Sequence, residues 1–129
     1  MSADDDERRE AKRAAHAFGM RAETVAALWL TLKFYRILAR RYRAQGGEVD
    51  IVARRCDVIA FVEVKARGDM DDALVAITAQ KQRRFSRAAA RWLAENPWAA
   101  AYALRADAVF VAPWRRPRHV ASFMELRVG

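Results

Sequence analysis

The stretch GGEVDIVARRCDVIAFVEVKAR, residues 46–67, decides the fold. Gly46 and Gly47 can turn the chain, because a residue without a Cβ takes a positive φ at little cost. EVDIVAR and VIAFVEVKA then read as two strands rich in Val, Ile and Phe, joined by the short polar turn Arg54-Arg55-Cys56-Asp57. Together they predict a meander. The anomaly is their charge. Glu48, Asp50, Glu63 and Lys65 interrupt what is otherwise buried sheet.

Outward from this pair, residues 10 to 33 read as one helix, with Phe18, Val25, Trp29 and Leu32 on one face at helical spacing. Its second half, VAALWLTL, is apolar nearly all round, which predicts burial on more than one side. YRILARRYR, 35–43, alternates imperfectly and reads as a strand. A loop at 68–72 leads into a second helix whose apolar face is Leu74, Ile77, Phe85, Ala88 and Trp92, stopped by Asn96-Pro97. LRADAVFVAP, 104–113, is a fourth strand, PWRRPR a loop and HVASFMEL a last short strand. The order α-β-β-β-α-β-β predicts an α/β fold: a mixed sheet flanked by helices. Residues 1–9 are expected to form a disordered acidic tail, and 10–129 a single domain.

The charge is uneven. Asp4, Asp5, Asp6, Glu7 and Glu10 against Arg8 and Arg9 give the first ten residues −3, so the net +8 leaves +11 on the rest. A body that basic suits a polyanion, and nucleic acid above all. Arg supplies 20 of the 24 cations, and the four lysines are Lys12, Lys33, Lys65 and Lys81. Where Arg is the default cation, a retained Lys points to a need for a compact ammonium. The lone Cys56 cannot form an internal disulfide, and no apolar run is long enough to span a bilayer. A cytoplasmic protein with no membrane partner is expected.

Alternation along a strand puts Glu48 and Asp50 on one face, and Glu63 and Lys65 on one face about 6.5 Å apart. If the two strands pair through their turn, Asp50, Glu63 and Lys65 meet. Clustered carboxylates in a sheet repel one another and lose hydration, and a dication relieves both costs. Mg²⁺ takes oxygen ligands and keeps several waters, so Asp50, Glu63 and a strand carbonyl beside Glu63 suffice. Such an ion acidifies water and polarises a phosphoryl oxygen, while Lys65 orients the attacking water. The competing reading is a solvent-facing Glu-Lys pair on an open strand. The apolar residues on both sides of these charges favour a cleft.

Other chemistries lack their residues. His16 and His119 are far apart in sequence and do not support a His/Cys zinc site. Ser2, Ser86 and Ser122 have no nucleophile-elbow context, and no glycine-rich phosphate loop is present.

GEVDIVA (47–53), FVEVKAR (61–67) and KQRR (81–84), in this order and spacing, resemble the YraN-like family of small bacterial proteins. That family is grouped with the PD-(D/E)xK nucleases and is similar to archaeal Holliday-junction resolvases. The resemblance covers about residues 12–112. It implies a restriction-endonuclease-like α-β-β-β-α-β core and Mg²⁺- or Mn²⁺-dependent cleavage of DNA, including branched or flapped forms. Asp50 and Glu63 match the metal-ligand positions, Lys65 the motif lysine, and Glu23 the acidic residue of the first helix, a third candidate metal ligand. Two departures stand out: Ala22-Glu23 where the family tends to have Gly-Glu, and Arg105-Ala106-Asp107-Ala108 where it tends to have R-F-D-V.

Lys81 lies within the apolar face of the second helix and must either snorkel out or enter the cleft. Lys81, Arg83, Arg84 and Arg67 are the expected DNA contacts; a solvated helix face is the alternative for the arginines. Glu48 is either second to the metal ligands or a strand-edge surface residue. Trp114 among Arg115, Arg116 and Arg118 is suited to stack on a splayed base, or simply sits in a connecting loop. Enzymes that cut symmetric junctions act as dimers, so a homodimer is expected. The alternative to a nuclease is a nucleic-acid-binding module on a nuclease fold.

Overall fold

The computed structural model describes residues 3–66 and 79–128, without the side chains of residues 14–20. The elements are α1 (Ala3–Leu32), β1 (Arg36–Ala44), β2 (Gly47–Arg55), β3 (Val58–Ala66), α2 (Ala79–Glu95), a 3-10 helix (Pro97–Ala101), β4 (Ala103–Val111) and β5 (Arg118–Met124). The strands form one five-stranded sheet in sequence order. β1, β2 and β3 are an antiparallel meander; β3 and β4 run parallel; β5 returns antiparallel to β4. A parallel neighbour requires a crossover, and α2 lies in it. This is the mixed sheet flanked by helices that the sequence predicts.

Two cores lie on opposite faces. Ala22, Ala26, Ala27 and Leu30 of α1 pack with Ile51, Ala53, Ala60, Val62 and Val109. Phe85, Ala88, Ala89 and Trp92 of α2 pack with Val49, Val52, Ile59 and Phe61. Phe61 meets Trp92 edge to face at 5.7 Å, a favoured aromatic geometry. α2 thus buries the face its periodicity announces, as far as the described residues go; Leu74 and Ile77 lie outside them.

α1 corrects the sequence reading. Its buried side is the alanine side, whereas Val25, Leu28 and Leu32 are exposed. Three alanines and one leucine let the helix axis lie close to the sheet, and among the described side chains of α1, which do not include Phe18, Leu30 alone is large and fully buried. The acidic stretch expected as a tail is helical from Ala3, so Asp4, Asp5 and Asp6 form the first turn of α1. Negative charge is favourable there, beside unpaired N–H groups.

Gly47 is fixed by a close approach rather than by its φ. A Cβ on it would lie 1.7 Å from the backbone oxygen of Arg84. The β1–β2 turn therefore rests directly on α2, which brings the helix beside Glu48.

Candidate active site

β2 and β3 pair from Arg55↔Val58 to Ile51↔Val62. The next residues are Asp50 and Glu63, and there the backbone ladder gives way. The Val64 N–H donates instead to Asp50 Oδ2 at 2.7 Å, so a side chain satisfies a strand amide. On the other side of β2 the ladder passes from Arg40↔Ile51 to Tyr42↔Val49, and Arg41 between them takes a left-handed φ of 52°. Val49 belongs to the α2-side core and Ile51 to the α1-side core, although residues two apart normally share a face. β2 is therefore irregular at Asp50, and its carboxylate reaches across to the β3 backbone.

This placement has an electrostatic consequence. Burial, and next the negative charge of Glu63, push the Asp50 carboxyl up to about 7; the Val64 hydrogen bond opposes the shift, and Glu48 and Glu23 add to it. Asp50 and Glu63 therefore share a field. Glu63 Oε1 lies 3.1 Å from Lys65 Nζ, and both side chains are mostly buried. Lys81 Nζ reaches the same oxygen from α2 at 3.8 Å. Lys81 thus enters the cleft. A small cavity of about 70 Å³ opens beside them, lined by Glu48, Glu63, Lys81, Arg84 and Phe85. Glu48 lines this cavity while its carboxylate pairs with Arg43 at 3.5 Å.

Glu23 is buried on α1, but its oxygens are occupied by Arg40 Nε at 3.1 Å and Arg41 Nε at 2.9 Å. It reaches Asp50 through its field while its carboxylate is engaged by two guanidinium groups. Adjacent strand residues ordinarily point to opposite faces, and the left-handed Arg41 is what turns both arginines toward one carboxylate. That pairing is illegible in the sequence, because regular alternation would put Arg40 and Arg41 on opposite faces.

Arg83 and Arg84 stand exposed on α2 and, with Gly46, Gln80 and Arg87, line an open groove of about 390 Å³. Arg67 lies outside the described residues. Among those residues, no three His, Cys, Asp or Glu side chains form a group able to hold a metal ion. The pair Asp50 and Glu63 nonetheless fits a divalent ion, since Mg²⁺ commonly uses one or two carboxylates and fills its remaining positions with water. The repulsion that raises the Asp50 carboxyl is the cost a dication would remove.

The sequence reading gave no role to a second polar cluster, on β4. Asp107 is fully buried, and its oxygens take Arg105 Nε at 2.7 Å, Arg105 Nη2 at 2.8 Å and the Ser122 N–H at 3.0 Å. His119 Nε2 lies 2.7 Å from Asp107 Oδ2, and Lys33 Nζ lies 2.6 Å from His119 Nδ1. Burial raises the Asp107 carboxyl, but the hydrogen bonds from His119, Arg105 and Ser122 outweigh it and hold the group below the usual carboxylate range. The alternation of Arg105 and Asp107 in an otherwise apolar strand is the signal that could have found it.

A family model described as "Uncharacterised protein family UPF0102" matches residues 22–111. A UPF0102 protein of Methylocella silvestris is 62% identical over 118 residues, which cover 92% of this chain and 95% of the relative. One of Methylobacterium nodulans is 56% identical over 126 residues, 98% of each chain. One of Bradyrhizobium diazoefficiens is 54% identical over 107 residues, 83% of this chain and 80% of the relative. No helix among the described residues is long and apolar enough to cross a membrane.

Proposed function

The chain belongs to the YraN-like family, UPF0102, and on that premise we propose that it is a metal-dependent endonuclease hydrolysing phosphodiester bonds in DNA, branched or flapped forms included. One observation carries the reading: Asp50 and Glu63 converge where β2 and β3 part, with Lys65 in ion-pair contact with Glu63.

Asp50 and Glu63 would hold Mg²⁺ or Mn²⁺, with Glu23 recruited only if Arg40 and Arg41 release it. The chemistry a divalent ion supplies at such a pair is Lewis-acid polarisation of a phosphoryl oxygen and acidification of water. The Val64 N–H holds one Asp50 oxygen to β3, so the other would be the one to meet an ion. Lys65 is nearly buried and compact, suited to hold an attacking water in line and to take up or release its proton. Lys81, more exposed, offers its ammonium to a non-bridging phosphate oxygen, and Arg83 and Arg84 offer theirs to neighbouring phosphates.

The test is a panel of end-labelled linear, flapped and four-way DNAs incubated with Mn²⁺ or Mg²⁺. Wild type is expected to nick at least one of them, and Asp50→Asn and Lys65→Ala to lose that activity by at least about 100-fold, the scale of an acid–base or electrostatic contribution. Absence of cutting by wild type with either metal, or cutting that survives Lys65→Ala, refutes it.

A binding module is the second reading. The cations already paired with Glu63 and Glu23 favour it, because they offset acidic charge without a metal. It predicts salt-sensitive DNA binding unaffected by Asp50→Asn and no cleavage.

A further inference from the structure

Trp114 is fully exposed, and its backbone adopts a left-handed φ of 63°. A bulky residue in that region costs conformational energy that the fold must supply, and burial of the indole does not repay it. The loop that holds it, between β4 and β5, also carries Arg115 and Arg116, both exposed.

Its position in the sheet gives these features meaning. β3 and β4 run parallel in the register Glu63↔Ala108, Lys65↔Phe110 and Ala66↔Val111, and β5 begins with Phe110↔Arg118. Lys65, Phe110 and Arg118 therefore form one row across three strands. With strands about 4.8 Å apart, Arg118 starts about 10 Å from Lys65. The Trp114 loop thus leaves β4 at the same end of the sheet as the Asp50–Glu63–Lys65 site. Between them, Phe110 packs edge to face on Phe123 at 5.6 Å and makes a firm apolar floor.

An exposed indole flanked by guanidinium groups has the chemistry that recognises nucleobases and phosphates together. The ring stacks on any base, and the cations follow the backbone. A base inside a duplex has both faces covered, so only an unpaired base can take such a stack.

We propose that Trp114 is a stacking platform for an unpaired nucleobase beside the phosphate held at Asp50, Glu63 and Lys65, which sets the substrate class as DNA with a single-stranded stretch at the point of cleavage. This rests on the endonuclease reading for the word cleavage, but the binding it describes does not require metal.

The experiment measures binding by fluorescence anisotropy in EDTA. It uses a labelled single-stranded oligonucleotide, a flap, a blunt duplex and a single strand of abasic sugar-phosphate, with wild type, Trp114→Ala and Trp114→Phe. Trp114→Ala is expected to lose about tenfold on the single strand and the flap, the scale of one base stack, and less than twofold on the duplex and the abasic strand. Trp114→Phe should recover most of the loss. An exposed loop position makes misfolding of these variants a minor concern, and thermal melts of each control for it.

Equal loss on all four ligands, or none on any, overturns the proposal. If these differences appear but no metal produces cutting, the endonuclease reading fails and the platform stands. If cutting occurs and Trp114→Ala binds and cuts like wild type, the platform fails alone.

Discussion

Asp50 answers to two opposing demands. Its carboxylate is needed to accept the Val64 N–H, yet burial and Glu63 push its pKa up to about 7. In the unfolded chain an aspartate titrates near 3.8. The folded state therefore binds the proton more tightly, and the stability this gives is fully present below about pH 4 and lost as pH rises through about 7. The full shift is worth on the order of 4 kcal/mol, at about 1.36 kcal/mol per unit. Urea unfolding in the absence of divalent ions should show stability falling between these limits, a slope that Asp50→Asn removes. A divalent ion needs both acids ionised, so its affinity should rise with pH through about 7. Mn²⁺ titrations at several pH values check the sign, and an affinity independent of pH over that range contradicts it.

Glu63 and Lys65 were legible as neighbours because a period of two puts them on one face of β3, whereas Asp50 meets Glu63 through an irregularity in β2 that alternation does not announce. Glu23 was marked only by the family resemblance, as the acidic residue of the first helix. Its partners depend on the left-handed turn at Arg41, which no propensity announces.

Among the elements, α1 shows where pattern reading goes astray. Val25, Trp29 and Leu32 dominate its hydrophobic pattern, but the sheet receives Ala22, Ala26, Ala27 and Leu30. Small side chains carry little weight in a periodicity and much in a close approach. α2 was readable because its large residues, Phe85 and Trp92, are the ones buried.

The turn before β2 sets how near α2 comes to the site. Gly47→Ala forces a Cβ into the Arg84 carbonyl, a backbone atom that cannot swing away. Overpacking of this kind costs about 1–3 kcal/mol. A thermal melt should show the loss, and DNA binding should weaken as α2 moves; an unchanged melting temperature refutes the contact. Asp107 tests the β4–β5 side of the sheet. It ties Arg105, His119 and the Ser122 amide together beside an irregularity in the β4–β5 ladder. Asp107→Ala should cost about 3–5 kcal/mol, the scale for breaking a buried charged network, and hydrogen exchange should accelerate first in β5.

At the scale of the molecule, charge is the organising quantity. A body of +11 behind an acidic helical start presents cations on α2 and on the β4–β5 loop. Phosphate contacts make binding salt-dependent, with a log–log slope of about −0.7 per single-strand phosphate engaged. Arg83→Ala combined with Arg84→Ala should weaken DNA binding and flatten that slope by about 1 to 1.5 units. A slope unchanged in the double variant would remove these arginines from the interface. Composition alone raises the expectation of a polyanionic partner, but the groove with Arg87 and Gly46 depends on packing between a turn and a helix distant in sequence.

The central claim is that Asp50 and Glu63 serve one divalent ion. Calorimetric titration of Mn²⁺ at pH 8 into wild type, Asp50→Asn and Glu63→Gln tests it most directly. One site in wild type, lost in both variants, is the predicted result. No heat in wild type, or a site that survives either substitution, contradicts it.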